Sequence, residues 1–218
     1  ELYLNKNEIE SFEVNVFNNL ENLELLHLNE NKIKKLAYSD LFNDLVNLKE
    51  LFLHENEIES FDENTFSNLV NLEILNLKNN KIEEIKSRGL FKDLHNLKQL
   101  YLGNMFFNNG NNRIDFLDKN LFSNLKNLEI LDLSYNKIKE IASGLFDNLT
   151  NLKSLSLNYN EIETFDEKAF DHLVNLEILN LNDNNINILG NTSLFKDLVN
   201  LRELYLGNFV FYNDGGND

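Results

Sequence analysis

Apolar and polar residues follow one pattern along the whole chain, clearest at NLEILDLSYNKI, where Leu128, Leu131 and Leu133 are followed by Asn136 and Ile138. The leading leucines recur at 23, 48, 72, 97, 128, 152, 176 and 201, so the spacings are 25, 24, 25, 31, 24, 24 and 25. A period of this length marks stacked repeats, each a unit that cannot bury its apolar face alone. Each unit continues beyond the motif, as in Leu48, Leu51, Leu53, Asn56, Ile58, Phe61, Phe66 and Leu69.

The alternating L-x-L portion predicts a short strand with one face buried and the other open. Stacking the units side by side turns these strands into a parallel sheet and each leucine column into a continuous core. The asparagines at 7, 31, 56, 80, 112, 136, 160 and 184 fall where the chain leaves the strand. Their amides can both donate to and accept from backbone groups that a turn leaves unpaired, which predicts a buried structural ladder. A second column, Phe17, Phe42, Phe66, Phe91, Phe122, Phe146, Phe170 and Phe195, always stands three residues before a leucine. One aromatic per unit at fixed phase predicts a core spine. The segment around it, such as Phe66-Ser67-Asn68-Leu69, suits a short helical turn on the outer face.

On these residues the chain resembles the leucine-rich repeat family, in its typical subclass with a phenylalanine spine, familiar from extracellular receptors. The resemblance runs from Leu2 to Leu206. It implies an α/β solenoid shaped as a horseshoe, with a parallel concave β-sheet and short helical or irregular convex segments. It also implies an extracellular or secreted setting, although the chain lacks the cysteine-rich caps and the outer-face proline of many extracellular members, and a cytoplasmic one stays open.

A longer period overlies the short one. LKQLYLGNMFFNNG from Leu97 matches LRELYLGNFVFYNDG from Leu201, and 201 − 97 = 104. NEIESFDENTFSNLVNLEILNL from Asn56 likewise matches NEIETFDEKAFDHLVNLEILNL from Asn160. The expectation is a single solenoid over 1–218, of about nine units with partial terminal ones, grouped into four-unit super-repeats of about 100 residues. The unit from Leu97 is long because YLGNMFFNNGNNRI inserts seven residues between Leu102 and Asn112, and YLGNFVFYNDGGND repeats the insertion. The first module, at Tyr3-Leu4-Asn5-Lys6-Asn7, lacks it. Loops on a rigid scaffold commonly carry function, and these expose Phe106, Phe107, Phe209 and Phe211 unless they pack.

Charge and composition narrow the chemistry. With 20 basic and 36 acidic residues the formal charge is −16, which repels phosphate backbones and anionic lipid and disfavours nucleic acid. The same acidity also serves solubility. There is no cysteine for a disulfide, a thiolate metal site or a nucleophile. Apolar runs stay far short of the roughly 20 residues of a membrane helix, so membrane insertion is not expected. The chain opens inside a repeat without methionine, as an excised or mature segment does.

No serine–histidine pairing or phosphate-cradling glycine loop occurs, so an enzyme and a cofactor are not expected. His27 and His54 with Glu30 and Glu55 make a metal site conceivable, but at about 8 Å separation the imidazoles are too far apart without help. The NNGNN and NDGGND turns are oxygen-rich, yet lack a full calcium-loop pattern. Asn148-Leu149-Thr150 and Asn191-Thr192-Ser193 are glycan acceptor sequences at a frequency that 42 asparagines supply by chance.

The open strand positions remain. Tyr3, His27, Phe52, Asn76, Tyr101, Asp132, Ser156, Asn180 and Tyr205 stand in file, with Tyr135 and Tyr159 beside them near the strand ends. Aromatics on a solvated strand face are common interface anchors, though tyrosine also simply suits strands. The sequence therefore predicts a non-enzymatic scaffold binding a protein or glycan through Phe52, Tyr101, Asp132, Tyr135, Tyr159 and Tyr205 and through the insert loops. The alternative is a structural array assembled end to end into a fibre or matrix.

Overall fold

The computed structural model describes residues 1–36, 40–105, 111–187, 189 and 193–208. Its strands, in chain order, are β1 (Leu2–Tyr3), β2 (Leu25–His27), β3 (Lys35–Leu36), β4 (Glu50–Phe52), β5 (Ser60–Phe61), β6 (Ile74–Asn76), β7 (Gln99–Tyr101), β8 (Ile130–Asp132), β9 (Glu140–Ile141), β10 (Ser154–Ser156), β11 (Thr164–Phe165), β12 (Ile178–Asn180) and β13 (Glu203–Tyr205). One nine-stranded parallel sheet takes a strand from every unit, in the order β1-β2-β4-β6-β7-β8-β10-β12-β13. The short strands β3 and β5 pair on the flank, as do β9 and β11. The chain therefore advances one strand per unit along a solenoid.

Register is fixed by the leucines. Leu26, Leu51, Leu75, Leu100, Leu131, Leu155 and Leu179 stand in line across the sheet, each fully buried. A slip of one residue would turn this column to water, so the pairing is strongly specified. On the opposite side of the core the phenylalanines stack from Phe17 to Phe195, with centroids 5.9 to 6.5 Å apart. Neighbouring strands lie only about 4.8 Å apart. The wider aromatic spacing splays the units like a fan, which makes the sheet the concave side.

The expected asparagine ladder is present. Asn80 donates from Nδ2 to the carbonyls of Leu53, Leu77 and Lys78 at 3.0 to 3.2 Å, and its Oδ1 accepts from the Ile58 N–H. From Asn31 to Asn184 each such side chain ties consecutive units together through groups the turn would otherwise orphan, whereas Asn7 is exposed and bonds Leu4 O and Asn5 O of its own unit. A second asparagine row escaped the sequence reading. Asn47, Asn71, Asn96, Asn127, Asn151, Asn175 and Asn200 each donate at 2.7 to 2.9 Å to a carbonyl of the preceding unit on the outer surface. Its signal was legible, since an asparagine directly precedes every leading leucine.

The outer face differs from the helical turn expected there. Among the described residues it is a chain of successive turns, such as Thr65 N to Asp62 O, Ser67 N to Asn64 O and Leu69 N to Phe66 O. At Asn19, Asn68 and His172 the backbone takes a positive φ of 62 to 69°. A left-handed residue ends a right-handed helical run before it can propagate.

Candidate recognition face

In the three-residue strands from β2 to β12 the middle residue points into the core, which leaves the first and third on the open face. The second and third residues after the strand continue that face toward its rim. Parallel register stacks equivalent side chains from neighbouring units, so a row of like residues must touch.

The third-position row behaves this way at its start. Tyr3 stacks on His27 with centroids 5.0 Å apart, and His27 on Phe52 at 4.5 Å. His54 then meets Phe52 edge-on at 6.1 Å. Phe52 thus stands in contact with both imidazoles that the sequence had offered as a metal pair. The His27 Nδ1 lies 3.2 Å from Asn29 Oδ1, and Asn29 in turn donates to Glu30. Burial holds His54 below the usual histidine range, against an opposing pull from Glu30.

The middle of the row is built differently. Lys78 reaches across the face to Asp132, 2.5 Å away, and its ammonium stands 5.1 Å from the centre of the Tyr101 ring. Asp132 also accepts from Ser134 Oγ at 2.6 Å and from Ser134 N at 2.9 Å. Gly103 makes room for this closure, because a Cβ there would lie 2.7 Å from Asp132 Oδ1 and 2.8 Å from Ser134 O. Asp132, expected to face a partner, is 8% exposed with its charge already answered. The Tyr101 hydroxyl donates to Gln99, and burial raises its pKa.

At the rim Tyr135 and Tyr159 stack at 4.2 Å. Burial, Asp183 and Tyr135 push the Tyr159 phenol up to about 12. Both tyrosines occupy a left-handed backbone position, with φ of 57 and 54°, that Lys6, Glu30, Glu55, Asn79 and Asp183 share in other units. An aromatic residue there is uncommon. Tyr205 is 43% exposed and hydrogen-bonds Glu203. The structure thus joins Phe52 to His27 and Tyr3, and Tyr135 to Tyr159, while Tyr101 and Asp132 share Lys78. Phe106, Phe107, Phe209 and Phe211 lie outside the described residues.

The base of the first insertion is closed by a reciprocal pair of buried asparagines. Asn104 donates to Asn112 O at 3.1 Å and accepts from Asn112 N at 2.9 Å. It also donates to the Tyr135 carbonyl. Asn112 still serves the ladder, donating to Leu77 O and Leu102 O. The insertion leaves the coil undisturbed: Phe91 and Phe122, on either side of it, keep a 6.5 Å separation.

Two features of the face went unread in the sequence. At the strand-entry edge Glu24, Lys49, Glu73, Lys98, Glu129, Lys153, Glu177 and Arg202 alternate in sign, and pair at 2.7 to 2.9 Å as 24–49, 73–98, 129–153 and 177–202. The second is a divergence between the internal copies. ELFLHENEIESF at 50–61 and SLSLNYNEIETF at 154–165 differ at Glu50/Ser154, Phe52/Ser156, His54/Asn158, Glu55/Tyr159 and Ser60/Thr164. The first four pairs all lie on the open face, whereas the core and ladder residues between them are identical.

Comparison with known proteins agrees with this geometry. The leucine rich repeat family model matches residues 39–82, 110–162, 136–186 and 150–209, and a second leucine rich repeat model matches 71–94. No curated protein matches the chain. Among solved structures, the chain is similar to TLR13 in a crystal structure of the TLR13-ssRNA13 complex, with a TM-score of 0.83 and 32% identity, covering 94% of this chain and 28% of that one. It is also similar to the Toll–Spatzle complex from Drosophila, with a TM-score of 0.77 and 25% identity over 94% of this chain and 31% of that one. A glycosylated form of the latter gives 0.71 and 26%, with the same coverage. The chain therefore spans less than a third of these relatives' length.

Proposed function

The chain belongs to the leucine-rich repeat family, and from that premise we propose that it is a non-enzymatic recognition scaffold, extracellular in setting, that binds a protein or glycan along its concave face. Phe52, Tyr101, Tyr135, Tyr159 and Tyr205 contribute to that surface, and the proposal extends to the insert residues Phe106, Phe107, Phe209 and Phe211. One observation carries the reading: the two copies of a strand and its exit, 50–61 and 154–165, keep their core and ladder residues and differ where the side chains meet solvent. Packing alone gives no reason to replace Glu50, Phe52, His54 and Glu55 by Ser154, Ser156, Asn158 and Tyr159. A binding face gives one, because specificity lives in side chains placed on a fixed frame.

Single-stranded RNA, named with TLR13, does not suit this chain. Lys6 and Lys78 on the face are held by carboxylates, Glu30 at 3.7 Å and Asp132 at 2.5 Å, and the strand-entry cations Lys49, Lys98, Lys153 and Arg202 are likewise each paired with a glutamate. Phosphate binding needs cations free to displace counterions. A protein partner, as Spatzle is for Toll, fits the aromatic anchors better.

The test is an epitope map. Binders selected against the chain from a displayed library are rescreened on Phe52→Ala, Tyr101→Ala and, as an outer-face control, Val70→Ser. The reading predicts that most binders weaken about tenfold or more on the concave variants, as for an anchor residue, and keep full binding to the control. Binders that ignore both concave variants and are lost on Val70→Ser would overturn it.

A further inference from the structure

We infer that the partner segment taken by the first module's open face is a cationic, extended peptide, with arginine or lysine stems lying along the Tyr3–His27–Phe52 ladder and their heads reaching the flanking carboxylates. This rests on the recognition reading above and adds the chemistry of the partner.

The argument starts from the ladder's cross-section. The three rings stack across neighbouring strands, Tyr3 against His27 and His27 against Phe52, which makes a continuous apolar strip. His27 and Phe52 are half-buried. The faces of the inner rings are taken up by their neighbours, so what remains to solvent suits aliphatic chain rather than a further stacked ring. Long basic side chains present such a chain while carrying their charge beyond it.

Carboxylates stand where those heads would end. Glu1 and Glu50 lie on the first-strand-position side of the strip, and Glu30 and Glu55 on the rim side. Glu50 and Glu55 have no ion-pair partner among the described residues. The nearby Lys6 is held by Glu30 and Lys78 by Asp132. With Lys6 and the neighbouring Lys49 already held by Glu30 and Glu24, Glu50 and Glu55 offer negative charge without a cation bound to it, beside an apolar strip, and the partner that complements both is basic. An acidic or neutral peptide would strip water from Glu50 and Glu55 without return.

The second module supplies the contrast. At the positions of Glu50, Phe52, His54 and Glu55 it carries Ser154, Ser156, Asn158 and Tyr159, so both the carboxylates and the aromatic centre are gone. This gives a variant that the fold already accommodates. Glu50→Ser, Phe52→Ser, His54→Asn and Glu55→Tyr together convert the first site to the chemistry of the second, on a strand and exit with the same frame.

The experiment is calorimetric titration of the full chain with octa-arginine, octa-glutamate and a single-stranded RNA of similar length. Octa-arginine is expected to bind, and the other two are not. The fourfold variant should bind octa-arginine about tenfold or more weakly, the loss expected when an aromatic anchor and two charges leave an interface. Glu59, Glu83 and Glu84 are exposed together on the flank beside β5; changing all three to glutamine removes more negative charge, three against two, and should leave binding within about twofold, because they lie outside the face. An equal loss in both variants would show charge attraction without a site, and overturn the inference. So would octa-arginine binding unchanged in the fourfold variant, or tighter binding of octa-glutamate or RNA. If octa-arginine fails while library binders still map to Phe52, the basic partner is wrong and the recognition face stands.

Discussion

At the scale of single residues, the turn out of each strand carries a conformational cost the sequence does not announce. Glu55 sits at φ 55°, one of a row of non-glycine residues in the left-handed region. An L-residue there costs about 1 to 2 kcal/mol, whereas glycine pays only about 0.5 to 1 kcal/mol in chain entropy. Urea denaturation should therefore place Glu55→Gly within about 1 kcal/mol of wild type, and Glu55→Val below both, because a β-branched side chain adds to the cost that Glu55 already bears. A valine variant as stable as the glycine one would contradict the left-handed assignment. His54 supplies a pH-dependent counterpart. Burial lowers its folded pKa, so below the ordinary histidine value of about 6.5 the unfolded chain takes up a proton that the folded chain resists. Its contribution to stability is complete above that pH and is lost as the pH falls below it. His54→Asn, borrowing the residue of Asn158, should flatten the fall in melting temperature between neutral pH and about pH 5. An unchanged slope would place the proton elsewhere.

The same scale shows why some assignments were readable and others not. Phe52 was legible as an open-face residue because period-2 alternation fixes which way a strand residue points, whereas Tyr135 lies past the end of β8 in a left-handed turn, where alternation no longer applies. The burial of Asp132 was not, since it depends on Gly103 leaving a gap that Lys78 crosses from the unit before. That is a relation among three units, and no single unit contains it.

At the scale of the element, the two asparagine rows look alike in sequence and differ in what they support. Asn80 is fully buried and satisfies backbone groups of more than one unit. Asn71 is exposed and makes one bond, to Val46 O at 2.8 Å. Leaving buried donors and acceptors unpaired costs about 1 to 3 kcal/mol each, while an exposed bond nets about 0.5 to 1.5 kcal/mol. Asn80→Ala should therefore lower stability by about 3 kcal/mol and Asn71→Ala by about 1 kcal/mol or less, both read from chemical denaturation. Equal losses would mean that burial does not set the ladder's worth. The strand-and-turn frame of each unit was fully legible, because leucine, asparagine and phenylalanine recur at fixed phase. The outer segment was legible only as compact, since its i to i+3 turns and a helical turn place the same residues inward.

At the scale of the molecule, curvature follows from packing two unequal columns, leucine strands on the inside and phenylalanine rings 5.9 to 6.5 Å apart on the outside. The insertion after Leu102 does not interrupt this, because Asn104 and Asn112 close its base. What the whole solenoid adds to its units is a face on which one module is aromatic and acidic, and the next is amide-rich with its tyrosines moved to the rim. The sequence revealed the duplication and set Tyr135 and Tyr159 beside the file; the structure adds the contacts, Phe52 stacked on His27 and Tyr159 on Tyr135. The measurement that tests the account most directly is a map of amide chemical shifts in the isotope-labelled chain as octa-arginine is added. The prediction is a set of shifts confined to β1, β2, β4, β6 and the turns leaving them, with β10 and β12 unmoved. Shifts centred on the outer turns, or spread evenly over both modules, would contradict it.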